Sequence, residues 1–312
     1  MGATSAAAYR DNGGVEPVII SVVVTTHNRA GLLRQALESI MAQVSCGAEI
    51  EVIVVDDAST DDTPAVVASY PDIRYLCTAQ GTAAGSRNVG IQHARGEWIA
   101  FLDDDDAWLP HKLRRCFSLL IVSPQASLIY SAAFICDSSL QPSGGIWAGP
   151  LVVKGKVSAD AFLDRVVSPS GVLIRREVFD RVGYFDPAML RAEDRDMWLR
   201  AIYGGVICIG TEEPLFLYRT RDAVDGEMDY IGYTTTLTVL RHYLGKHNVQ
   251  RPSWRRRKQV LWRTRGWYAH RMLEAARQAK GEGRPDLAAR FRRAAFRISP
   301  VHAVKGQFIS GK

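Results

Sequence analysis

Short, β-branched apolar runs alternate along the first hundred residues with stretches whose apolar positions recur every three or four residues. Val18–Thr25 (VIISVVVT) has almost no polar interruption, the pattern of a strand covered on both faces. Behind it Leu32, Leu33, Ala36, Leu37, Ile40 and Met41 fall at helical spacing. Glu51–Val55 predicts a second strand and Pro64–Tyr70 a second helix, with Ser59, Thr60 and Asp61 as cap candidates. Ile73–Cys77 is a weaker third strand. The small-residue loop Gly81–Gly85 leads into a third helix, Ser86–Ala94, and Trp98–Leu102 is a fourth strand. This order predicts an α/β protein whose mostly parallel, Rossmann-like sheet carries helices on both faces. Such sheets bind ligands beyond the carboxyl ends of their strands. The chain turns polar at those ends, at Thr25-Thr26-His27, at Asp56-Asp57 and at Asp103–Asp106.

Further on, Pro110–Val122 reads as an amphipathic helix. Leu128–Cys136 and Gly145–Val153 read as strands around a Ser/Pro/Gly turn at Ser138–Gly145. Gly183–Pro187 is a turn. Asp194–Tyr203 is a helix with Met197, Trp198, Ala201 and Ile202 on its apolar side, and Leu215–Arg221 is a strand. Helices follow over Tyr230–His247, Ser253–Lys280 and Pro285–Ile298, the last two forming a hairpin broken at Gly281–Arg284. Trp254, Leu261, Tyr268 and Ala275 recur there every seventh residue, and the hairpin faintly resembles one tetratricopeptide-like helix pair. Residues 1–16 are small and polar and read as a disordered lead-in.

Composition narrows the class. The 312 residues are 47% hydrophobic and 23% charged, an ordinary globular balance. The apolar run near the N-terminus is too short to span a bilayer and lacks a basic region before it, so a cytoplasmic protein is expected. The five cysteines are odd in number and none forms C-x-x-C, against a disulfide framework or a zinc ribbon. The net charge of +6 is unevenly placed: residues 250–312 hold 17 Lys/Arg against 3 Asp/Glu, a net of +14, and the rest carries −8. That basic segment is either a solvated face of a packed hairpin or a surface for anionic membrane; no nucleic-acid recognition motif accompanies it, and no nucleic acid is expected.

Asp103–Asp106 is the chemical focus. Four adjacent carboxylates repel one another, and the core just left by the strand would tolerate none of them. A divalent cation resolves the conflict, since hard cations take oxygen ligands and Mg²⁺ is held by one or two carboxylates plus substrate phosphates. A solvated acidic turn capping the next helix is the alternative. Neither G-x-G-x-x-G nor G-x-x-x-x-G-K-[ST] occurs. Side chains and a metal would therefore replace the glycine-rich phosphate nest.

The ordered pieces SVVVTTHNR, VIVVDDASTDDT, SRNVGI, GEWIAFLDDDDAWLPHKL and RAEDRDMWLR resemble the successive motifs of glycosyltransferase family 2, over roughly Ile19–Arg219. The resemblance implies a GT-A fold and an inverting transfer from a nucleotide sugar, expected to be a UDP-sugar, to a saccharide or lipid-linked acceptor, with Mg²⁺ or Mn²⁺, in cell-surface polysaccharide or glycoconjugate synthesis. It implies a catalytic domain over 17–225 (nucleotide-binding half 17–110, acceptor half 111–225) and a basic helical extension over 226–312. By position, Thr25, Thr26 and His27 match the nucleotide-contacting strand end, and Asp57 the acid that reads the uracil edge. Arg87 matches a residue near the ribose or diphosphate. Asp105 matches the metal-binding aspartate, with Asp103 or Asp104 on the ribose or supporting the metal, and Asp106 is left as a helix cap. Asp194 matches the general base that takes the acceptor proton, and Glu193 would orient it or the acceptor; simple capping by acids at a helix start is the alternative. Arg219 or Arg221 would touch phosphate. A sugar nucleotidyltransferase or a non-catalytic sugar-nucleotide-binding protein are the competing classes. The first would want a Gly-rich basic loop where TTHNRAG stands, and the second would need no base.

Overall fold

The computed structural model describes residues 18–147, 155–157, 162–163, 167–220, 225–245 and 253–309. The expected lead-in, the far end of the strand expected over Gly145–Val153, and Arg221 lie outside the described residues.

The β-branched runs become β1 (Ile19–Thr26), β2 (Glu49–Asp57), β3 (Arg74–Thr78) and β4 (Trp98–Asp103), all parallel. They are connected by α1 (Ala30–Met41), α2 (Thr63–Ala68) and α3 (Ala83–His93). β1 lies between β2 and β4, with Thr26 paired to Asp56 and Thr25 to Asp103, so the polar strand ends are level with one another. Side chains alternate between two cores. Ile20, Val22, Val24, Trp98, Ala100 and Leu102 bury against α1 and α2, while Val23, Ile99 and Phe101 bury on the opposite face. Gly90 lets α3 lie close on that face: a Cβ there would stand 2.3 Å from Val23 Cγ1.

Beyond β4 the sheet becomes mixed, with strands of very different length. They are β5 (Ala107–Trp108), β6 (Leu128–Cys136), β7 (Pro142–Trp147), β8 (Gly155–Lys156), β9 (Val172–Arg175) and β10 (Cys208–Arg219). The order is β3-β2-β1-β4-β9-β6-β10-β5, with β7 on β6 and β8 on β10. β9 is antiparallel to both β4 and β6, and β10 is parallel to β6. The turn expected over Ser138–Gly145 is shorter. Asp137 Oδ1 accepts from the Ser139 and Gln141 N–H groups, and β7 has begun by Pro142. β10 starts seven residues before the expected Leu215, because the Glu212-Glu213-Pro214 interruption is absorbed as a register shift between Thr211 and Phe216.

The remaining helices are α4 (Lys112–Val122), α5 (Glu177–Val182), α6 (Glu193–Tyr203), α7 (Gly226–Gly245), α8 (Trp254–Gly281), α9 (Pro285–Ile298) and α10 (Pro300–Ile309). α10 was not signalled by periodicity. It starts at Pro300, whose fixed φ suits a first helical turn. The C-terminal end of α7 (Val239, Leu240, Tyr243 and Leu244) and Val260 of α8 join the core that holds Phe101, Trp198 and Tyr130. The hairpin closes its own core with small residues, among them Ala269, Ala276, Ala288 and Ala295, around Met272 and Phe291. The expected heptad is followed only in part: Trp254 stands in solvent, 62% exposed, and the packing residues are Val260, Ala269, Met272 and Leu273.

Candidate active site

At the end of β4 the four aspartates separate by environment. Asp103 and Asp105 line a cavity of about 650 Å³. Asp104 turns inward, where its carboxylate accepts from the Thr26 hydroxyl at 2.8 Å and from Arg29 Nη1 at 2.9 Å. Burial lifts its pKa to about 6, against the opposing pull of Arg29. Arg29 also reaches Asp105 Oδ2, at 3.3 Å. Asp106 is not a helix cap, since α4 begins only at Lys112. It is 2% exposed and accepts from the Ser170 hydroxyl at 2.6 Å and from the Arg219 N–H at 3.0 Å. Burial, with the charges of Asp105 and Asp103, pushes its pKa well up. Arg219 clamps the same turn, donating to the Asp105 carbonyl at 2.7 Å and to Gln35 Oε1 at 2.7 Å. It lines the cavity while holding the backbone of the acidic turn.

Arg87 comes from α3 and is almost fully buried. Its guanidinium forks between Asp103 Oδ1 (2.6 Å) and Glu193 Oε1 (2.8 Å), which joins the end of β4 to the start of α6. Glu193 is thus turned toward Arg87. Asp194, next to it, lines the cavity, and its Oδ1 accepts from the Arg195 N–H at 2.7 Å. Burial and then the Glu193 charge raise the Asp194 carboxyl to about 7, against the lowering pull of Arg87. Ala192, just before, is held at φ 62°, a backbone conformation uncommon outside glycine and found at functional sites.

The strand ends of β1 and β2 form a separate flank beside the cavity. Thr25, Thr26, His27 and Asp57 are not among its lining residues. Asp57 Oδ1 accepts from the Gln80 and Gly81 N–H groups at 2.6 and 3.2 Å. The exposed His27 ring is steered by Nδ1 against the Asp57 carbonyl at 2.6 Å and by Asn28 at Nε2. Asn28 Oδ1 accepts from the Thr60 N–H at 2.7 Å, which ties this loop to the one after β2.

The opposite wall of the cavity comes from the C-terminal helices. Arg263, Trp267, Tyr268 and Arg271 of α8 face it, with Asp229 and Thr236 of α7. Arg271 pairs with Asp229 at 3.0 Å, and the Tyr268 hydroxyl meets Thr236 Oγ1 at 3.0 Å. No site role was read for these residues, nor for Arg29 and Ser170, from the sequence. The aromatic heptad on α8 was the one available signal, and it indicates burial without saying against what.

The oxygen-only donor pair Asp103 and Asp105 fits a hard divalent cation. Among the described residues no group of three His, Cys, Asp or Glu side chains converges on a metal position. A cation on this pair would therefore complete its shell from substrate phosphates and water.

Residues 21–183 match the family model described as glycosyl transferase family 2. An uncharacterized glycosyltransferase of Nostoc sp. is 30% identical over 214 residues, 65% of each chain. One of Rickettsia prowazekii is 26% identical over 186 residues, 58% of each. The succinoglycan biosynthesis protein ExoO of Rhizobium meliloti is 46% identical over 99 residues, 31% of this chain and 28% of that protein. The chain thus spans about three fifths of the length of the first two relatives. Among solved structures, S. aureus TarS in complex with UDP-GlcNAc superimposes with a TM-score of 0.59 at 19% identity, over 90% of this chain and 83% of that one. A mannosyltransferase of Pyrobaculum calidifontis in complex with GDP-Man and Mn²⁺ gives 0.61 at 17% identity, over 96% and 90%. The fold is the GT-A fold.

Proposed function

The chain belongs to glycosyl transferase family 2, and from that premise we propose that it moves a sugar from a UDP-sugar to an acceptor hydroxyl by a single, inverting displacement. The observation that carries the reading is the meeting of Asp103, Asp105 and Asp194 around one cavity, brought there by two different elements. Asp194, with its carboxyl raised to about 7, takes the proton from the acceptor hydroxyl as that oxygen attacks; a base is most effective when its pKa lies near the working pH. Glu193 is held by Arg87 and sets the charge beside the base. A Mg²⁺ or Mn²⁺ ion on Asp105, with Asp103 beside it, would neutralise charge on the departing diphosphate. Thr25, His27 and Asp57 take the nucleoside, His27 by stacking and Asp57 by accepting from a base N–H through Oδ2. Thr26 acts through Asp104, since its hydroxyl is engaged there, and Asp104 holds Arg29 against Asp105. The acceptor lies against the α7–α8 wall. The partial identity to a succinoglycan biosynthesis protein supports a saccharide acceptor in polysaccharide synthesis.

The test is UDP release from a panel of UDP-sugars with Mn²⁺ or Mg²⁺, alongside donor binding. Asp105→Ala is expected to weaken metal-dependent donor binding. Asp194→Asn is expected to keep donor binding and to lose transfer by a factor of about 10²–10⁴, the usual contribution of a positioned base. Wild-type turnover by Asp194→Asn would remove the base from the scheme.

A further inference from the structure

α8 has a second face, turned away from the cavity. Trp254, Lys258, Trp262 and Arg265 follow one another at helical spacing of four, four and three, so they form one stripe. All four are exposed, Trp254 at 62% and Trp262 at 53%. Lys258 Nζ stands 4.9 Å from the centre of the Trp254 ring. The Trp262 ring lies 4.2 Å from that of His302 in α10, which brings α10 alongside the stripe. There α10 shows Val301 and Val304 to solvent, at 55% and 43%.

Large apolar side chains scattered singly over a surface need no explanation, but a row of them interleaved with cations does. Tryptophan rings suit the headgroup level of a bilayer, where the ring is half apolar and its N–H is wet. Lysine and arginine beside them meet anionic headgroups. The charge supports the same partner, since residues 250–312 carry a net of +14 and the rest of the chain −8. Attraction to an anionic surface therefore turns the C-terminal helices toward it, and the tryptophan stripe selects this face among them. Among the described residues no helix is long and apolar enough to cross a membrane, so the contact is one of lying on the surface.

We propose that the face formed by Trp254, Lys258, Trp262 and Arg265 of α8 with Val301 and Val304 of α10 docks on the headgroup layer of an anionic lipid bilayer. The same helix carries Arg263 and Trp267 into the cavity, so a docked bilayer lies about one helix diameter, roughly 10 Å, from the acceptor wall. Delivery of a lipid-anchored acceptor is the use this placement would have; that clause rests on the glycosyl-transfer reading, whereas docking itself does not.

The experiment is co-sedimentation of the full chain with vesicles of phosphatidylcholine alone and of phosphatidylcholine mixed with phosphatidylglycerol. Binding is expected on the anionic vesicles only, falling with added salt and accompanied by a blue shift of tryptophan emission. Lys258→Glu with Arg265→Glu, and separately Trp254→Ala with Trp262→Ala, are each expected to weaken it by roughly tenfold or more. Circular dichroism and UDP-sugar binding should stay as in the parent, because all four side chains are exposed. Equal binding to both vesicle types, or wild-type binding by both double variants, overturns the proposal. So does a tryptophan variant that turns a dimer into a monomer by light scattering with vesicle binding unchanged, since the face would then join two copies of the chain. If UDP release fails in every donor assay while vesicle binding persists, the transfer reading falls and docking stands.

Discussion

A carboxylate in the first turn of a helix is ordinarily held ionised by the backbone dipole. Asp194 sits there in α6, yet burial and the adjacent Glu193 raise it to about 7. Transfer should therefore be slow near pH 5.5, climb through about pH 7 as Asp194 loses its proton, and level off above pH 8. Rates measured across that range at saturating donor check it, and Asp194→Asn should give a flat, low profile. Stability runs the other way. A carboxyl whose folded pKa lies above its unfolded value of about 3.9 contributes fully below that value, and the contribution is lost as pH rises through about 7. Asp194→Asn should thus melt a few degrees higher than the parent at pH 8 and at the same temperature at pH 4, by calorimetry. That Asp105 and Asp194 stand at the cavity was legible because one follows a strongly patterned strand and the other opens a patterned helix, while the roles given to them came from the family resemblance. Arg29 and Ser170 were not. Their carboxylate partners, Asp104 and Asp106, lie far along the chain, and no local period reports a pairing of that kind. Lys112 was equally invisible: it is fully buried, its amine 4.2 Å from the centre of the Trp108 ring.

Several side chains join elements around the site, and Arg87 joins three of them. It reaches from α3 to β4 and α6 at once, with 5% of its side chain exposed against 26% for Asp103 and 13% for Glu193. Arg87→Met leaves two carboxylates facing each other without their cation. Removing one partner of a buried pair costs about 3–5 kcal/mol, so urea unfolding should shift by that order. Arg87→Lys should recover only part of it, since an ammonium cannot fork to both acids. The sequence placed an arginine here but assigned it to the ribose or diphosphate. Motif position says where a residue falls along α3, whereas the meeting of its guanidinium with Glu193 of α6 depends on a residue about a hundred positions away. The boundaries of α9 were readable because Pro285 and the phase of Leu287, Phe291, Ala294 and Ile298 are both local signals. The start of β10 was hidden by a run of two glutamates and a proline that the strand accommodates by a shift in register.

At the scale of the whole molecule, the basic C-terminal helices complete the cavity. Tyr243 of α7 packs on Tyr203 of α6, ring centres 5.0 Å apart, and its hydroxyl reaches Asp196. This seats α8 so that Trp267 and Tyr268 face the wall shared with Asp194. Periodicity could show that α8 buries a stripe, but the identity of the surface it meets is a property of the assembled chain. The consequence can be tested at Trp267, whose ring is 49% exposed and lies beside Tyr268 with centres 4.6 Å apart. A ring exposed to that extent in a cavity wall offers a flat apolar face to a sugar, and its removal leaves the fold intact. Trp267→Ala should lower kcat/KM for the acceptor by roughly tenfold, about 1.4 kcal/mol, chiefly through KM. UDP release by hydrolysis without acceptor and the affinity for UDP-sugar should be unchanged, because Asp57, His27 and Asp105 lie on other elements. Trp267→Phe should restore most of the loss. Equal weakening of donor and acceptor would instead place the wall on the donor side, with the acceptor entering over the flank of β1 and β2.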